Sequence, residues 1–377
     1  MQNNGKILII GGYGAVGKII STALANLFLS KVIVAGRNYK KAKNLAVELN
    51  KKVSPLELDI ESIDEDDERL IGVSIVLMCI DQKNTEFVRQ CVKRGIHYID
   101  ITANYDFLSK IELLDNEAKE NNSTVILSVG VAPGLTNLLA KHCKQISEDI
   151  QFTNIYILLG LGEKHGEAAY HWTFNDFNDE FYINEGKCRL KVKSFEDGRQ
   201  IVFSDKIGKR MAYRSNFSDQ HVIPKTLDIS SVSTRLCFDS AFMTSLYALI
   251  KKTGLSKLVK LKIVQDSLIK FFKIFRFGSD QFALKLEAGV YWEEGRLYEC
   301  SINGNGQGYT TGLVAAKVAE KLYTSTFDSG VHHIENLFDP VDLIQSLSVN
   351  LNFEESFLME KKIQYITENL QQNKDNQ

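Results

Sequence analysis

Proline is nearly missing from this chain, with 4 residues among 377. That excludes a Pro-rich linker or low-complexity protein. No apolar run approaches the roughly 20 residues that a membrane-spanning helix needs. The most apolar stretches, Ile7–Ile10 and Val73–Ile80, are the size of strands. Met1–Gly5 is polar and leads straight into the first of these, so no secretory leader is expected. Charge excess is missing as well. Lys+Arg number 45 against 47 Asp+Glu, a net charge of −2, whereas nucleic-acid binding usually shows as a strong basic excess. Nucleic acid is therefore not expected as a partner. Cysteine is sparse and scattered: Cys79, Cys91, Cys143, Cys188, Cys237 and Cys300, with no C-x-x-C pair. This excludes a disulfide framework and a zinc ribbon, and reads as free thiols in a reducing cytoplasm. His332-His333 suggest metal ligands, but adjacent side chains diverge and no third ligand has suitable spacing, so no metal is assigned.

What is present is an ordinary globular composition, 44% hydrophobic and 24% charged, in a chain long enough for two lobes. The first third alternates strand and helix. Apolar runs at Lys6–Ile10, Val32–Val34, Leu56–Asp59, Val73–Ile80, His97–Ile101 and Thr124–Val129 read as strands buried on both faces. Helical segments at Ala15–Phe28, Tyr39–Asn50, Glu86–Arg94 and Phe107–Glu120 fall between them. This order predicts a doubly wound parallel sheet over residues 1–144. Residues 145–307 read as an inserted α+β domain with a mostly antiparallel sheet. Lys187–Lys193 and Arg199–Phe203 flank the turn Glu196-Asp197-Gly198, a hairpin signal, and Phe282–Trp292 with Leu297–Ile302 form a second. Residues 308–347 are expected to return to the first lobe as helices. Residues 348–377 are expected to add a closing helix from Phe353 to Leu370 and a polar tail.

The strongest motif is Gly12-Tyr13-Gly14-Ala15-Val16-Gly17. It follows a buried strand and opens a helix, the context in which G-x-G-x-x-G signals dinucleotide binding. The glycines serve the tight turn, close approach to a pyrophosphate, and helix–strand packing. The helix N-terminus offers free N–H groups to the phosphates. An NAD site places Asp or Glu about 20 residues further on, at the ribose 2′-hydroxyl. Here the second strand ends in Ala35-Gly36-Arg37-Asn38 with no carboxylate. Arg37 suits a 2′-phosphate instead, with Lys40 and Lys41 adding positive potential, so NADP(H) is the expected cofactor. The other strand ends line the same crevice. Asp59 and Ile60 are expected at the adenine, Cys79 and Ile80 near the ribose and nicotinamide, and Asp100 and Thr102 beside them.

These segments resemble the saccharopine dehydrogenase (saccharopine reductase) family. The likeness rests on Ile7–Gly17, Val32–Arg37, Gly95–Asp100 and Gly130–Leu135, and extends through Leu158–His165, Gly308–Lys317 and Gly330–Pro340. It implies a Rossmann fold with a late-inserted α+β domain. It also implies hydride transfer at a C–N or carbonyl carbon of a small amino-acid-like substrate. One position departs: amino-acid-processing members commonly carry Asp before the Pro-Gly after the sixth strand, and this chain has Ala132.

Candidate catalytic groups are His165, Arg235 and Asp100. His165 lies in the polar loop Gly160–Glu167, where a proton donor and acceptor near neutral pH is available. Arg235 could hold a substrate carboxylate, or form a structural ion pair. Residues 256–277 form a basic amphipathic segment, which packs with a solvated basic face or touches a membrane surface. The antiparallel sheet could pair across a two-fold axis into a homodimer. Two other readings stay open: a catalytically silent nucleotide-binding scaffold, and a reductase for an apolar or lipid substrate.

Overall fold

Two seven-stranded sheets organise the chain. The computed structural model describes residues 4–64, 66–163, 180–186, 188–204, 206–254, 278–290, 297–347 and 351–358. The first sheet is assembled from β1 (Lys6–Ile10), β2 (Val32–Gly36), β3 (Val53–Glu57), β4 (Val73–Met78), β5 (His97–Asp100), β6 (Thr124–Leu127) and β15 (Gly330–His333). Its order is β15-β6-β5-β4-β1-β2-β3, and every pairing is parallel. Order reverses between β1 and β4, which fixes the crevice at their carboxyl ends. The central strands β1, β2, β4 and β6 are continuous apolar runs because helices cover both faces. Ile7, Ile9, Val32, Val34, Ile75 and Leu77 face one core, and Leu8, Ile10, Val76 and Met78 face the other. Each such side chain contributes about 1.5–3 kcal/mol on burial.

The helices of this lobe are α1 (Ala15–Leu27), α2 (Tyr39–Glu48), α3 (Glu86–Lys93), α4 (Tyr105–Glu112), α5 (Asp115–Glu120) and α6 (Thr136–Ile146). The single helix expected over Phe107–Glu120 is broken at Leu113–Leu114. The third strand begins at Val53, earlier than the apolar pattern placed it.

The second sheet is mixed, in the order β10-β11-β12-β7-β13-β14-β16. Its strands are β7 (Phe152–Leu159), β10 (Arg199–Val202), β11 (Lys209–Arg214), β12 (Ser231–Phe238), β13 (Gln281–Gly289), β14 (Leu297–Asn305) and β16 (Leu351–Leu358). Only β12 and β7 run parallel. Helices α7 (Asp219–Thr226), α8 (Ala241–Lys252) and α9 (Gln307–Thr324) complete the parts that position the site.

Three expectations are corrected. The segments on either side of Glu196-Asp197-Gly198 do not pair with each other. β8 (Glu180–Glu185) pairs with β9 (Cys188–Lys193), and β10 pairs with β11. The Phe195 N–H instead donates to Arg214 and the Arg214 N–H to Glu196, so the turn is stitched to β11. Secondly, Leu351–Leu358 is a strand, not the start of a helix, and pairs antiparallel with β14 from Leu297 to Gly304. Its backbone groups are satisfied by the ladder that the second sheet leaves open at that edge. Thirdly, β15 adds a strand where only helices were expected, so the segment after α9 extends the first sheet. The basic segment 256–277 lies outside the described residues. Among the described residues no helix is long and apolar enough to cross a membrane.

Candidate active site

The glycine turn is built as a cradle. Gly11 takes the left-handed conformation at φ +75°, so the turn's positive φ falls one residue before the motif's first glycine. Gly12 is hemmed in by the Ile9 carbonyl and Ser21 Oγ, each 3.0 Å from where a Cβ would sit. Ser21 is buried in α1 and donates to the Gly12 carbonyl at 2.9 Å, tying helix to turn. Gly14 is the extended N-cap of α1. Gly17 allows the closest approach: a Cβ there would lie 2.2 Å from the Gly11 carbonyl oxygen and 2.8 Å from Gly12 Cα. Backbone sits on both sides, so no rotamer change relieves that clash. With Ala15 and Val16 in the first turn of α1, the N–H groups at the helix start face the carboxyl end of β1, where a pyrophosphate sits in such folds. A side chain at Gly12 or Gly17 would strike the turn's own atoms and distort the cradle that receives a pyrophosphate. The residues present fit that group.

At the end of β2, Gly36 is buried and Arg37 is exposed. Among the described residues no hydrogen bond or ion pair is made by Arg37. Asn38 caps α2, its side chain accepting from the Lys41 N–H at 3.0 Å. The Tyr13 hydroxyl accepts from the Asn38 N–H at 3.2 Å, so the motif's aromatic lies across the end of β2.

The remaining strand ends are arranged along the same edge. Asp59 is half-buried and caps a short turn through the Glu61 N–H, with Ile60 beside it. Cys79 continues β4, its N–H donating to the Ile10 carbonyl. Desolvation and nearby Asp100 both push its thiol above the ordinary range. Ile80 is exposed and its methyl packs over Gly11. Asp100 is buried, and burial raises its carboxyl to about 6 against the pull of its donors. Those donors are the Tyr98 hydroxyl at 2.7 Å, Gln82 Nε2 at 3.1 Å and the Thr102 N–H at 2.8 Å. This network ties the end of β5 to the turn after β4 and forms one wall of the crevice.

In the second lobe the candidates separate. His165 lies outside the described residues. Arg235 stands inside β12, fully buried. It donates to Asp197 Oδ2 at 2.6 Å, to the Asp197 carbonyl at 3.2 Å and to Ser233 Oγ at 2.9 Å. Of the two roles considered for it, the geometry is that of an internal ion pair.

Several groups near the turn were not singled out by the sequence. Glu163 accepts from the Gly308 N–H at 2.9 Å, fastening the loop after β7 to the start of α9. A Cβ on Gly308 would lie 3.8 Å from Val16, and one on Gly312 2.7 Å from Ile19, so α9 leans directly on α1. Among the described residues, buried Glu163 Oε2, Gln307 Oε1 and Thr310 Oγ1 meet no partner. The glycine-rich, charged loop Gly160–Glu167 was the available signal for Glu163. At the start of α6, Asn137 accepts from the Gly134 N–H at 3.1 Å, and its own amide nitrogen has no partner among the described residues. His333, which the sequence raised only as a metal ligand and left unassigned, bridges Ser128 Oγ at 2.8 Å and Glu112 at 3.1 Å. Among the described residues no group of three or more His, Cys, Asp or Glu is placed to hold a metal ion.

Comparison with known proteins follows the same division. The family model described as saccharopine dehydrogenase NADP binding domain matches residues 7–126. No curated protein sequence matches. Among solved structures, apo saccharopine dehydrogenase (L-Glu forming) from Saccharomyces cerevisiae superposes with a TM-score of 0.67 at 15% identity, covering 94% of this chain and 100% of its own. A probable dehydrogenase from Thermotoga maritima reaches a TM-score of 0.40 at 10% identity, over 84% of this chain and 88% of its own. The yeast likeness is one of fold across nearly the whole chain. Residues 7–126, with their glycine cradle and parallel sheet, match the model of the saccharopine dehydrogenase NADP-binding domain, and that match supports NADP(H) as the cofactor.

Proposed function

We propose that this chain is an NADP(H)-dependent oxidoreductase acting at the C–N or carbonyl carbon of a small, amino-acid-like substrate. The observation that carries the cofactor preference is Arg37, exposed beside a buried Gly36 where an NAD site would place a carboxylate. The nicotinamide supplies the hydride; the chain supplies positioning and proton transfer. The Asp100 network holds the crevice wall in place.

Native protein is expected to bind NADPH more tightly than NADH. Arg37→Ala should weaken NADPH about 10–100-fold, the loss of a charge-assisted contact worth about 1.5–3 kcal/mol, and leave NADH unchanged. Titration of both nucleotides checks this, and equal affinities in the native protein would overturn the preference. A turnover screen with carbonyl compounds and with imines of 2-oxo acids tests the reaction class through loss of reduced nicotinamide.

A second reading has its own support. Both Asp100 oxygens are engaged by donors, and residue 132 is Ala. A silent nucleotide-binding protein would bind NADPH and turn over nothing in that screen.

A further inference from the structure

The end of β2 offers more than a charge for nucleotide choice. A Cβ built on Gly36 would lie 2.5 Å from Tyr13 Oη, 2.8 Å from its Cζ and 2.9 Å from its Cε1. No heavy atoms pack that closely without one of them moving. The backbone at Gly36 has little room to give way. Its carbonyl accepts from the Leu58 N–H at 3.1 Å, and the preceding Ala35 carbonyl accepts from the Gly11 N–H at 2.8 Å. Gly36 also sits in register with Glu57 on β3. Any side chain at residue 36 must therefore displace the Tyr13 ring. The ring would then give up its bond from the Asn38 N–H and its packing against the first core.

We propose that Tyr13 and Gly36 form a steric gate for the coenzyme: the Tyr13 ring holds the space at residue 36 that a carboxylate reading a ribose 2′-hydroxyl would need, leaving Arg37 as the group that meets the nucleotide's 2′ position. The gate rests on the proposed NADP preference and deepens it. Arg37 provides attraction for a 2′-phosphate, and Tyr13 removes the alternative. Specificity built this way combines a favourable contact with a block against the competitor. It also explains why one residue exchange at β2 will not convert the site.

The test is a double-mutant cycle on the full chain: native, Tyr13→Ala, Gly36→Asp and the double variant, each titrated with NADPH and NADH, with melting curves taken free of nucleotide. Tyr13→Ala is expected to keep the NADPH preference, since Arg37 remains. Gly36→Asp alone should weaken both nucleotides at least tenfold and lower the melting temperature, because the ring is forced out. In the double variant the melting temperature should recover to that of Tyr13→Ala. Its NADH:NADPH affinity ratio should rise at least tenfold over Gly36→Asp. Gly36→Asp that acquires NADH preference with Tyr13 in place, or that destabilises the protein equally with and without Tyr13, overturns the gate. Failure of the parent reading looks different: native protein that binds neither nucleotide, or both equally, while the nucleotide-free melting cycle still shows the Tyr13–Gly36 coupling.

Discussion

Replacing Asp197 by Asn is expected to destabilise the fold by about 3 kcal/mol near neutral pH, although the residue is nowhere near the glycine turn. The reason is what it leaves behind. Arg235 has no solvent exposure, and its charge is met by Asp197 Oδ2 at 2.6 Å. Arg214 donates to the same oxygen at 2.7 Å. Breaking a buried pair from one side costs about 3–5 kcal/mol because the remaining charge stays buried. The Asp197 side chain is 45% exposed, so the lower end of that range applies. Asn keeps the shape and tolerates the positive φ of 48° at this position, so backbone strain does not confuse the result. Adding Arg235→Met in the same chain should recover most of the loss, because an apolar replacement of the whole pair is close to neutral. Burial alone would raise the Asp197 carboxyl, but Arg235 and Arg214 outweigh it and hold it below its ordinary value. The stabilisation is therefore present above the usual carboxylate range and lost as pH falls below it, through the depressed value of the folded state. Urea melts of the three variants at neutral pH and near pH 3 check both points. If Asp197→Asn melts like the native protein, Arg235 is not held as an internal pair.

The sequence left Arg235 open between a substrate contact and an ion pair for a reason. Its partner lies 38 residues upstream in a turn, and no local pattern links the two. The alternation along β12 was hidden because the polar face, Ser231, Ser233 and Arg235, is itself buried. The glycine turn was legible because everything it needs is local: a buried strand, small residues and a helix start within one stretch of chain. The parallel strands were legible for a related reason, since burial on both faces leaves an uninterrupted apolar run. β15 and β16 are different. The first is a four-residue segment containing two histidines, and the second begins an apolar–polar pattern that also suits a helix. Only the open edges of β6 and β14 make strands of them. Gly36 was readable as a missing carboxylate, but Tyr13 folding onto it was not, because their contact joins the turn after β1 to the end of β2 through space.

Replacing Asp219 by Asn is expected to stabilise the protein at neutral pH by about 3 kcal/mol. Asp219 is fully buried at the start of α7. Burial pushes its carboxyl up to about 6, against the hydrogen bonds it receives, and Glu335 nearby adds to the rise. Thr234 donates to Oδ1 at 2.6 Å and the Gln220 N–H at 2.7 Å, and the Thr136 side chain also hydrogen-bonds to the carboxylate. An unfolded Asp ionises near its ordinary value of 3.8. Between that value and about 6 the folded state holds a proton that the unfolded state has released. Stability thus falls as pH rises through this window, at about 1.4 kcal/mol per pH unit, and stays lower above it. Asn mimics the protonated acid: its carbonyl keeps the bonds from Thr234 and Gln220, and no charge is buried. The gain should appear in urea melts at pH 7.5 and vanish at pH 4, where the native carboxyl is already neutral. Equal stability of the two proteins at pH 7.5 would mean that the Asp219 charge is compensated inside the fold, and a gain that persists at pH 4 would place its origin in packing.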